Sequence, residues 1–201
     1  MKRITTTTGL VAISILAIST NATPAEFSYS YLEGNYLSIV DSSDGPGVDG
    51  EGLGVTGSFA ISPMLAIGIN YKEYDFDRVS GFKVDVTQTQ IGLTAHTAIS
   101  PNMDILGSIN FLDAELVAND GFFLLRDDDT GYSAGIGLRY MLSNTVELNA
   151  SLTGIYIFND KSTELDLGAR YYASDKLSFA AGYITADDDV STVALSARYG
   201  F

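Results

Sequence analysis

The sequence predicts an all-β fold: a single up-and-down antiparallel transmembrane β-barrel of ten strands, with eight strands as the alternative. The first observation is a two-residue alternation of apolar and polar side chains, which recurs in segments along the chain. The second is that very short turns alternate with mostly longer, acidic connections. The third is that, beyond the N-terminal segment, no apolar run approaches the ~20 residues of a transmembrane helix. A closed barrel is the other structure that satisfies every backbone polar group in lipid.

The N-terminus has the pattern of a secretory signal peptide. Lys2 and Arg3 give it a basic start, and residues 9–18 form an apolar stretch too short to span a bilayer as a helix. Small residues precede a cleavage site predicted after Ala25, with cleavage after Ala22 as the alternative. The sequence therefore predicts a signal peptide at residues 1–25 and one barrel domain at residues 26–201.

The composition excludes several functional classes. Without Lys2 and Arg3 the chain holds 9 basic and 25 acidic residues, a net charge of −16, so nucleic acid is not expected as a partner. The absence of cysteine excludes disulfides, thiolate metal sites and a cysteine nucleophile. Neither a P-loop nor a G-x-S-x-G motif is present, and no acidic segment has the spacing of a dedicated calcium loop. We therefore expect no cofactor and no metal.

Ten alternating segments are predicted as strands, since a tilted strand crosses a bilayer with about 9–11 residues. In the first segment, aromatic residues share a face with Glu33, so its orientation is ambiguous. In the fourth, Val84 and Val86 lie on the opposite face from Ile91 and Leu93, which predicts a bulge or an extension beyond the membrane. The segments are 27–39, 51–61, 65–75, 84–99, 103–116, 130–142, 146–158, 163–173, 177–186 and 191–201.

Two kinds of connection alternate between these segments. Short turns rich in Ser, Pro, Asn and Asp lie at residues 62–64, 100–102, 143–145 and 174–176. Acidic connections lie at 41–50, 77–81 and 119–129, with two tight members at 159–160 and 187–189. Short turns at one end and longer loops at the other are typical of membrane barrels.

Alignment on the short turns reveals an internal repeat. An aromatic residue lies three positions before most turns, and an apolar residue lies one position before each. These side chains share one strand face and predict a lipid-facing belt. The first set is Phe59, Tyr140, Tyr171 and, by analogy, Tyr199, with Thr97 as the exception; the second is Ile61, Ile99, Leu142, Ala173 and Phe201.

The opposite face carries charge. Four positions before the turns stand Ser58, His96, Arg139, Arg170 and Arg198. An arginine that faces mid-membrane lipid costs about 2–4 kcal/mol, so this face must line the lumen. The charges there should pair as a stabilising network, because a broken buried pair costs about 3–5 kcal/mol; the alternative is a selectivity ring. The predicted lumenal charges are Glu33, Lys72, Arg139, Glu147, Glu164, Asp166, Arg170 and Arg198, with Asp104 beside them.

The last strand repeats the pattern and ends the chain. Val193, Leu195, Tyr199 and the terminal Phe201 share one face. These residues resemble the C-terminal signal that bacterial outer-membrane barrels present to the assembly machinery. Together with the 29–34 opening strand and the glycine-rich hairpins, they make the chain similar to the small proteobacterial outer-membrane β-barrel family, whose barrels have 8–10 strands.

The resemblance implies a location and a set of partners. It implies the outer membrane, with short turns in the periplasm, and contact with lipid, lipopolysaccharide and the barrel-assembly machinery. An extracellular ligand of the outer loops is a further expectation. No activity follows, because many members of such families have no assigned biochemical role, and no feature of the sequence specifies an oligomeric state.

Two features remain as candidate sites. His96, the only histidine, stands four residues before a short turn, at the wrong end for surface chemistry, so no catalytic residue is predicted. The sequence Phe122, Phe123, Leu124, Leu125 lies within the acidic 119–129 connection. It can fold into the barrel mouth, touch the outer leaflet or contact a partner.

The sequence thus predicts a non-enzymatic outer-membrane barrel with a structural or surface-interaction role, through envelope integrity, adhesion or ligand binding. The first alternative is a narrow, porin-like channel for ions or small solutes. Ten strands make a barrel too narrow for a continuous open pore, because water-filled channels usually have about 16 strands or more. A lipid-modifying enzyme is the second alternative.

Overall fold

A computed structural model describes residues 27–41, 49–79, 82–186 and 190–201. The predicted signal peptide, most of the 41–50 connection and the acidic residues 187–189 lie outside this part of the chain. In the described part, no helix has the length and hydropathy that a membrane crossing requires.

The fold is a closed, all-β barrel of ten strands, which confirms the predicted class and strand number. Each strand pairs antiparallel with its neighbours in sequence, and β1 pairs with β10 from Tyr31 opposite Gly200 to Asp41 opposite Val190. Closure leaves no free sheet edge at membrane depth. The strands are β1 (Tyr31–Asp41), β2 (Gly50–Ser62), β3 (Leu65–Val79), β4 (Phe82–Ser100), β5 (Met103–Asn119), β6 (Leu124–Ser143), β7 (Val146–Ile157), β8 (Asp160–Tyr172), β9 (Leu177–Ala186) and β10 (Val190–Gly200).

The sequence repeat before the short turns corresponds to a repeated local structure: a shift in strand register and a serine that hydrogen-bonds within the turn. The strand register shifts just before three of these turns, between Ala60 and Ser62, between Ala98 and Ser100, and between Met141 and Ser143. At three turns the serine hydroxyl oxygen accepts a hydrogen bond from the backbone N–H two residues on. Serine recurs there because its short side chain satisfies the turn locally.

The outside of the barrel carries an apolar belt. In β6 the outward side chains run from Leu142 through Leu138 and Ile136 to Tyr132, all exposed, and are then polar from Thr130 to Arg126. Aromatic side chains mark both margins of the belt. Near the short turns they are Phe59, Tyr140, Tyr171, Phe179, Tyr199 and Phe201; at the far margin they are Tyr36, Tyr71, Phe111, Tyr132, Tyr156 and Tyr183.

Several predicted boundaries were wrong: β3 ends at Val79 rather than at residue 75, β5 ends at Asn119 rather than at residue 116, and β8 begins at Asp160 rather than at residue 163. β1 begins at Tyr31 rather than at residue 27. The predicted 119–129 loop is mostly strand, because β6 begins at Leu124 and pairs with β5 from Leu124 opposite Asn119. Acidic residues can form a strand there because polar side chains on both faces carry no penalty outside lipid.

Of the two alternatives for the fourth strand, a bulge or an extension beyond the membrane, the structure shows the extension. β4 keeps one register with β3 from Ala95 opposite Leu65 to Val84 opposite Phe76, so the strand has no bulge in this stretch. Strands β3 to β6 have 15, 19, 17 and 20 residues, whereas β7 to β10 have 10 to 13. One side of the barrel therefore rises beyond the belt as a four-stranded sheet, here called the outer sheet.

Gly131 lies where β6 leaves the barrel wall, and we expect it to resist substitution. A Cβ at this position would overlap the backbone carbonyl oxygen of Tyr156. Gly131→Ala should therefore lower the free energy of unfolding by about 1–3 kcal/mol, measured by urea unfolding in lipid vesicles. Gly154→Ala is the control, because a Cβ there would stand 3.9 Å from its nearest neighbour, the carbonyl oxygen of Ala134. Equal urea midpoints for the two variants would contradict the packing described here.

Candidate functional site

The candidate site is a group of buried charges inside the barrel, near the short turns. Its members come from β1, β6, β7, β8 and β10, and all point inward because they share the parity opposite to the belt. We call Glu33, Arg139, Glu147, Arg170 and Arg198 the lumenal network.

Arg139 and Glu147 form a bidentate pair. The Nε of Arg139 lies 2.7 Å from Oε1 of Glu147, and its Nη2 lies 2.8 Å from Oε2. The two residues are 7% and 2% exposed, and the hydroxyl of Tyr172 donates a further hydrogen bond to Glu147. Two parallel hydrogen bonds fix the plane of the guanidinium, so the pairing sets the orientation of both side chains and also neutralises their charges.

Glu33 is shared by two arginines. Its Oε2 accepts hydrogen bonds from Nη2 of Arg170 and Nε of Arg198, both at 2.6 Å. Arg170 also donates to the hydroxyl of Ser178, and the guanidinium of Arg198 lies 3.6 Å from the ring centroid of Tyr31. Glu33 thus links β1 to β8 and β10 across the interior.

The residues before β1 cross the lumen. The ring of Tyr29 stacks on His96 of β4 with centroids 3.5 Å apart, and its hydroxyl donates to Oδ2 of Asp104 on β5 at 2.8 Å. Since β1 is separated from β5 by at least three strands in either direction around the barrel, Tyr29 spans the interior. The guanidinium of Arg139 lies 4.7 Å and 4.9 Å from the ring centroids of Phe27 and Tyr29.

Backbone contacts hold this segment in place. The hydroxyl of Ser58 donates to the carbonyl of Tyr29 at 2.8 Å, and the amide of Ala60 donates to the hydroxyl of Ser30 at 3.0 Å. Arg139 donates to the carbonyl of Ser28 at 3.3 Å. Tyr29 therefore obstructs the short-turn end of the lumen together with the lumenal network.

The remaining predicted charges lie farther from the short turns. Lys72 and Asp166 line a cavity of about 240 Å³ that also touches Glu33 and Arg170. A second cavity of about 330 Å³ lies against the lumenal network and Asp166. Glu164 lies on the inner face of β8, two residues from Asp166. The interior is thus divided into a filled short-turn end and a more open region above it.

His96 has no arrangement for catalysis among the described residues. Its Nδ1 lies 3.8 Å from Oδ2 of Asp104, and its Nε2 is buried without a hydrogen-bond partner. A catalytic histidine needs a nucleophile or substrate proton within hydrogen-bond reach. Across the described ranges, no three His, Asp or Glu side chains converge on a position where a metal ion could be held.

The predicted terminal and surface residues all lie on the outside. Val193, Leu195, Tyr199 and Phe201 are exposed in the belt, between 47% and 63%. Phe122 and Phe123 form the β5–β6 turn, whereas Leu124 and Leu125 open β6. All four point into solvent rather than into the barrel mouth.

Sequence reasoning missed the aromatic members of the interior. Tyr172 has the same parity as Arg170, and Tyr29 has the same parity as Glu33. Once the charged face is identified as the lumen, that parity assigns both rings to the inside. The far aromatic margin was also missed, although Tyr132 and Tyr140 share one face of one strand.

Comparison with known proteins places these features in a family context. A family model described as the outer membrane protein beta-barrel domain matches residues 8–201. A search of curated proteins finds no match. Among solved structures, Ail, the attachment invasion locus protein of Yersinia pestis, is 12% identical with a TM-score of 0.49, covering 87% of this chain and 99% of its own. Neisserial surface protein A is 13% identical (TM-score 0.47; 85% and 96%), and the KdgM porin is 10% identical (TM-score 0.49; 84% and 99%).

Removal of Arg139 should be costly because Glu147 would be left buried without its cationic partner. Arg139→Met should lower the free energy of unfolding by about 3–5 kcal/mol. Arg126→Met is the control, since Arg126 pairs with Glu115 at the exposed surface, where a pair contributes about 0–1 kcal/mol.

A double variant separates charge from packing. Arg139→Met combined with Glu147→Gln should recover part of the loss, because the double variant buries no unpaired carboxylate. Urea midpoints in lipid vesicles measure all three variants. Equal losses for Arg139→Met and Arg126→Met would contradict the role assigned to burial.

Proposed function

Because the chain belongs to the outer membrane protein beta-barrel domain family, we propose that it is an integral outer-membrane protein with a structural and surface-interaction role and no catalytic activity. An N-terminal signal peptide exports it, and the assembly machinery recognises its last strand. Its partners are outer-membrane lipid, lipopolysaccharide and an extracellular ligand. No cofactor takes part.

The observation that carries the proposal is the outer sheet. β6 has 20 residues, which corresponds to roughly 66 Å of extended chain, whereas the apolar band of such barrels is about 25 Å tall. Lipid crossing does not require this length. A sheet that projects from the wall presents side chains away from the membrane, as a surface-interaction role needs.

The filled short-turn end of the interior supports the same conclusion. The lumenal network and Tyr29 occupy the short-turn end, and each of the three arginines of the network contacts a glutamate at 2.6–2.7 Å. A conducting pore needs a continuous aqueous path, which this arrangement opposes. We therefore assign the network to stability rather than to selectivity.

A narrow channel is the second candidate function. The cavities of about 330 and 240 Å³ favour it, since they hold water-accessible space beside Lys72 and Asp166. Conduction would require displacement of Tyr29 from Asp104. An enzymatic role receives less support, because the stacked ring of Tyr29 covers His96.

Planar bilayer recordings test the choice between these functions. The purified protein should give no discrete conductance steps, because the short-turn end of its lumen is filled. If the protein does conduct, and Arg198→Gln changes the ion selectivity of the steps, the channel function is correct and the proposal made here is not.

Assembly in cells tests the role of the last strand. Deletion of Phe201 should slow the appearance of folded, heat-modifiable barrel, because the terminal aromatic residue is part of the proposed signal. Phe179→Ala is the control, since Phe179 lies in the same aromatic margin without being terminal. Unchanged folded levels after deletion of Phe201 would remove the support for a terminal signal.

A further inference from the structure

We propose that Phe122, Phe123, Leu124 and Leu125, here called the apolar tip, dock into an apolar pocket with a basic rim on a partner protein. The inference rests on the proposed surface-interaction role and specifies the site and the chemistry of the partner. Four observations carry it: the exposure of the tip, its position, the hydrogen bonds of its turn and the surrounding charge.

The apolar tip is almost fully exposed. Phe122, Phe123, Leu124 and Leu125 are 93%, 71%, 66% and 61% accessible to solvent. Four consecutive large apolar side chains in water carry an unfavourable hydration free energy that burial would relieve. The tip is convex, so the surface that covers it must be concave.

The tip lies beyond the reach of the protein's own bilayer. Eight positions separate Leu124 from Tyr132, the last aromatic of the belt in β6. At about 3.3 Å per residue this is roughly 26 Å of strand, or about 20 Å along the barrel axis for a tilt near 40°. The apolar side chains therefore cannot belong to the belt, and their partner approaches from outside.

The turn that presents the tip is held by polar contacts. The amides of Phe122 and Phe123 donate to Oδ1 of Asp120 at 2.8 and 2.6 Å, and the amide of Asp120 donates to the carbonyl of Phe123 at 3.3 Å. The amide of Gly121 donates to Oδ1 of Asn119, and its φ of 94° favours glycine. A preorganised turn loses little conformational entropy on binding.

The surroundings of the tip are acidic. Asp127 and Asp128 are exposed two and three residues after Leu125, and Arg126 is engaged by Glu115. The pKa of Asp120 is held below its ordinary value, because the backbone amides of Phe123 and Phe122 donate hydrogen bonds to its carboxylate. The turn thus carries a fixed negative charge beside its aromatic rings.

The negative charge of Asp120 favours a protein pocket over a membrane as the surface that covers the apolar tip. Insertion of the tip into hydrocarbon would bring the ionised Asp120 with it, and the burial of an unpaired carboxylate is strongly unfavourable. A protein pocket can accept the two phenylalanines as anchors while Lys or Arg at its rim faces Asp120 and Asp128. The geometry and charge together fit the protein.

The test uses the full barrel in lipid nanodiscs, probed on an array of purified extracellular proteins of known structure, from acidic to basic. Wild type should bind proteins that have an apolar pocket with a basic rim. Phe122→Ser/Phe123→Ser should lose about tenfold or more in affinity for them. Phe158→Ser is the control, because Phe158 is a partly exposed aromatic residue of the β7–β8 turn at the same end of the barrel. Binding should weaken as the salt concentration rises.

Other outcomes overturn the inference in distinguishable ways. If the array gives only partners whose affinity is unchanged in Phe122→Ser/Phe123→Ser, the surface role stands and the apolar tip is not its site. If no protein on the array binds, the inference fails. Flotation with phosphatidylcholine vesicles that requires Phe122 and Phe123 would identify the tip as a membrane anchor instead. Discrete conductance by the wild-type protein would remove the proposed function itself.

Discussion

The rest of the structure depends on closure of the sheet between its first and last strands. In hydrocarbon each backbone N–H and C=O group needs a partner within the protein, so a sheet at membrane depth must have no open edge. β1 and β10 meet that requirement, in register from Tyr31 opposite Gly200 onward. Closure also creates an interior, and every charged residue of the inner face must then be neutralised there. Closure of the sheet brings the charges of the lumenal network together, and the network in turn stabilises the closed sheet.

The inner face and the ends of the strands could be predicted from the amino-acid sequence, because placing a charged side chain in lipid costs a large free energy. A guanidinium toward lipid costs several kcal/mol, so Arg139, Arg170 and Arg198 identify the inner face of their strands. The serine turns identify the ends of the strands. The parity that Tyr29 shares with Glu33 assigns its ring to the inside, but it does not identify the residues that the ring contacts there. Its contact with Asp104 joins residues 75 positions apart, and such a pairing has no local signature.

The outer sheet was not predicted from the sequence, because its acidic part is typical of a loop. The acidic residues at 127–129 have low strand propensity, so the sequence predicts a loop there. In the structure, Asp128 lies opposite Glu115 and Asp127 lies opposite Leu116, so pairing with β5 outweighs local preference. The same acidic residues keep the exposed edge of β6 from joining other sheets, since charge on an edge strand discourages further pairing. The apolar tip is therefore presented by a strand whose flanks are protected from aggregation.

Glu33 and Arg198 stand directly opposite each other where the first and last strands pair. A slip of one position would rotate the Glu33 carboxylate to the lipid side, and a slip of two would carry it a pleat away from its partner. Only one alignment of the closing strands leaves the charges of the interior matched. The ion pair between Glu33 and Arg198 thus favours this register of β1 and β10 over the registers one or two positions away.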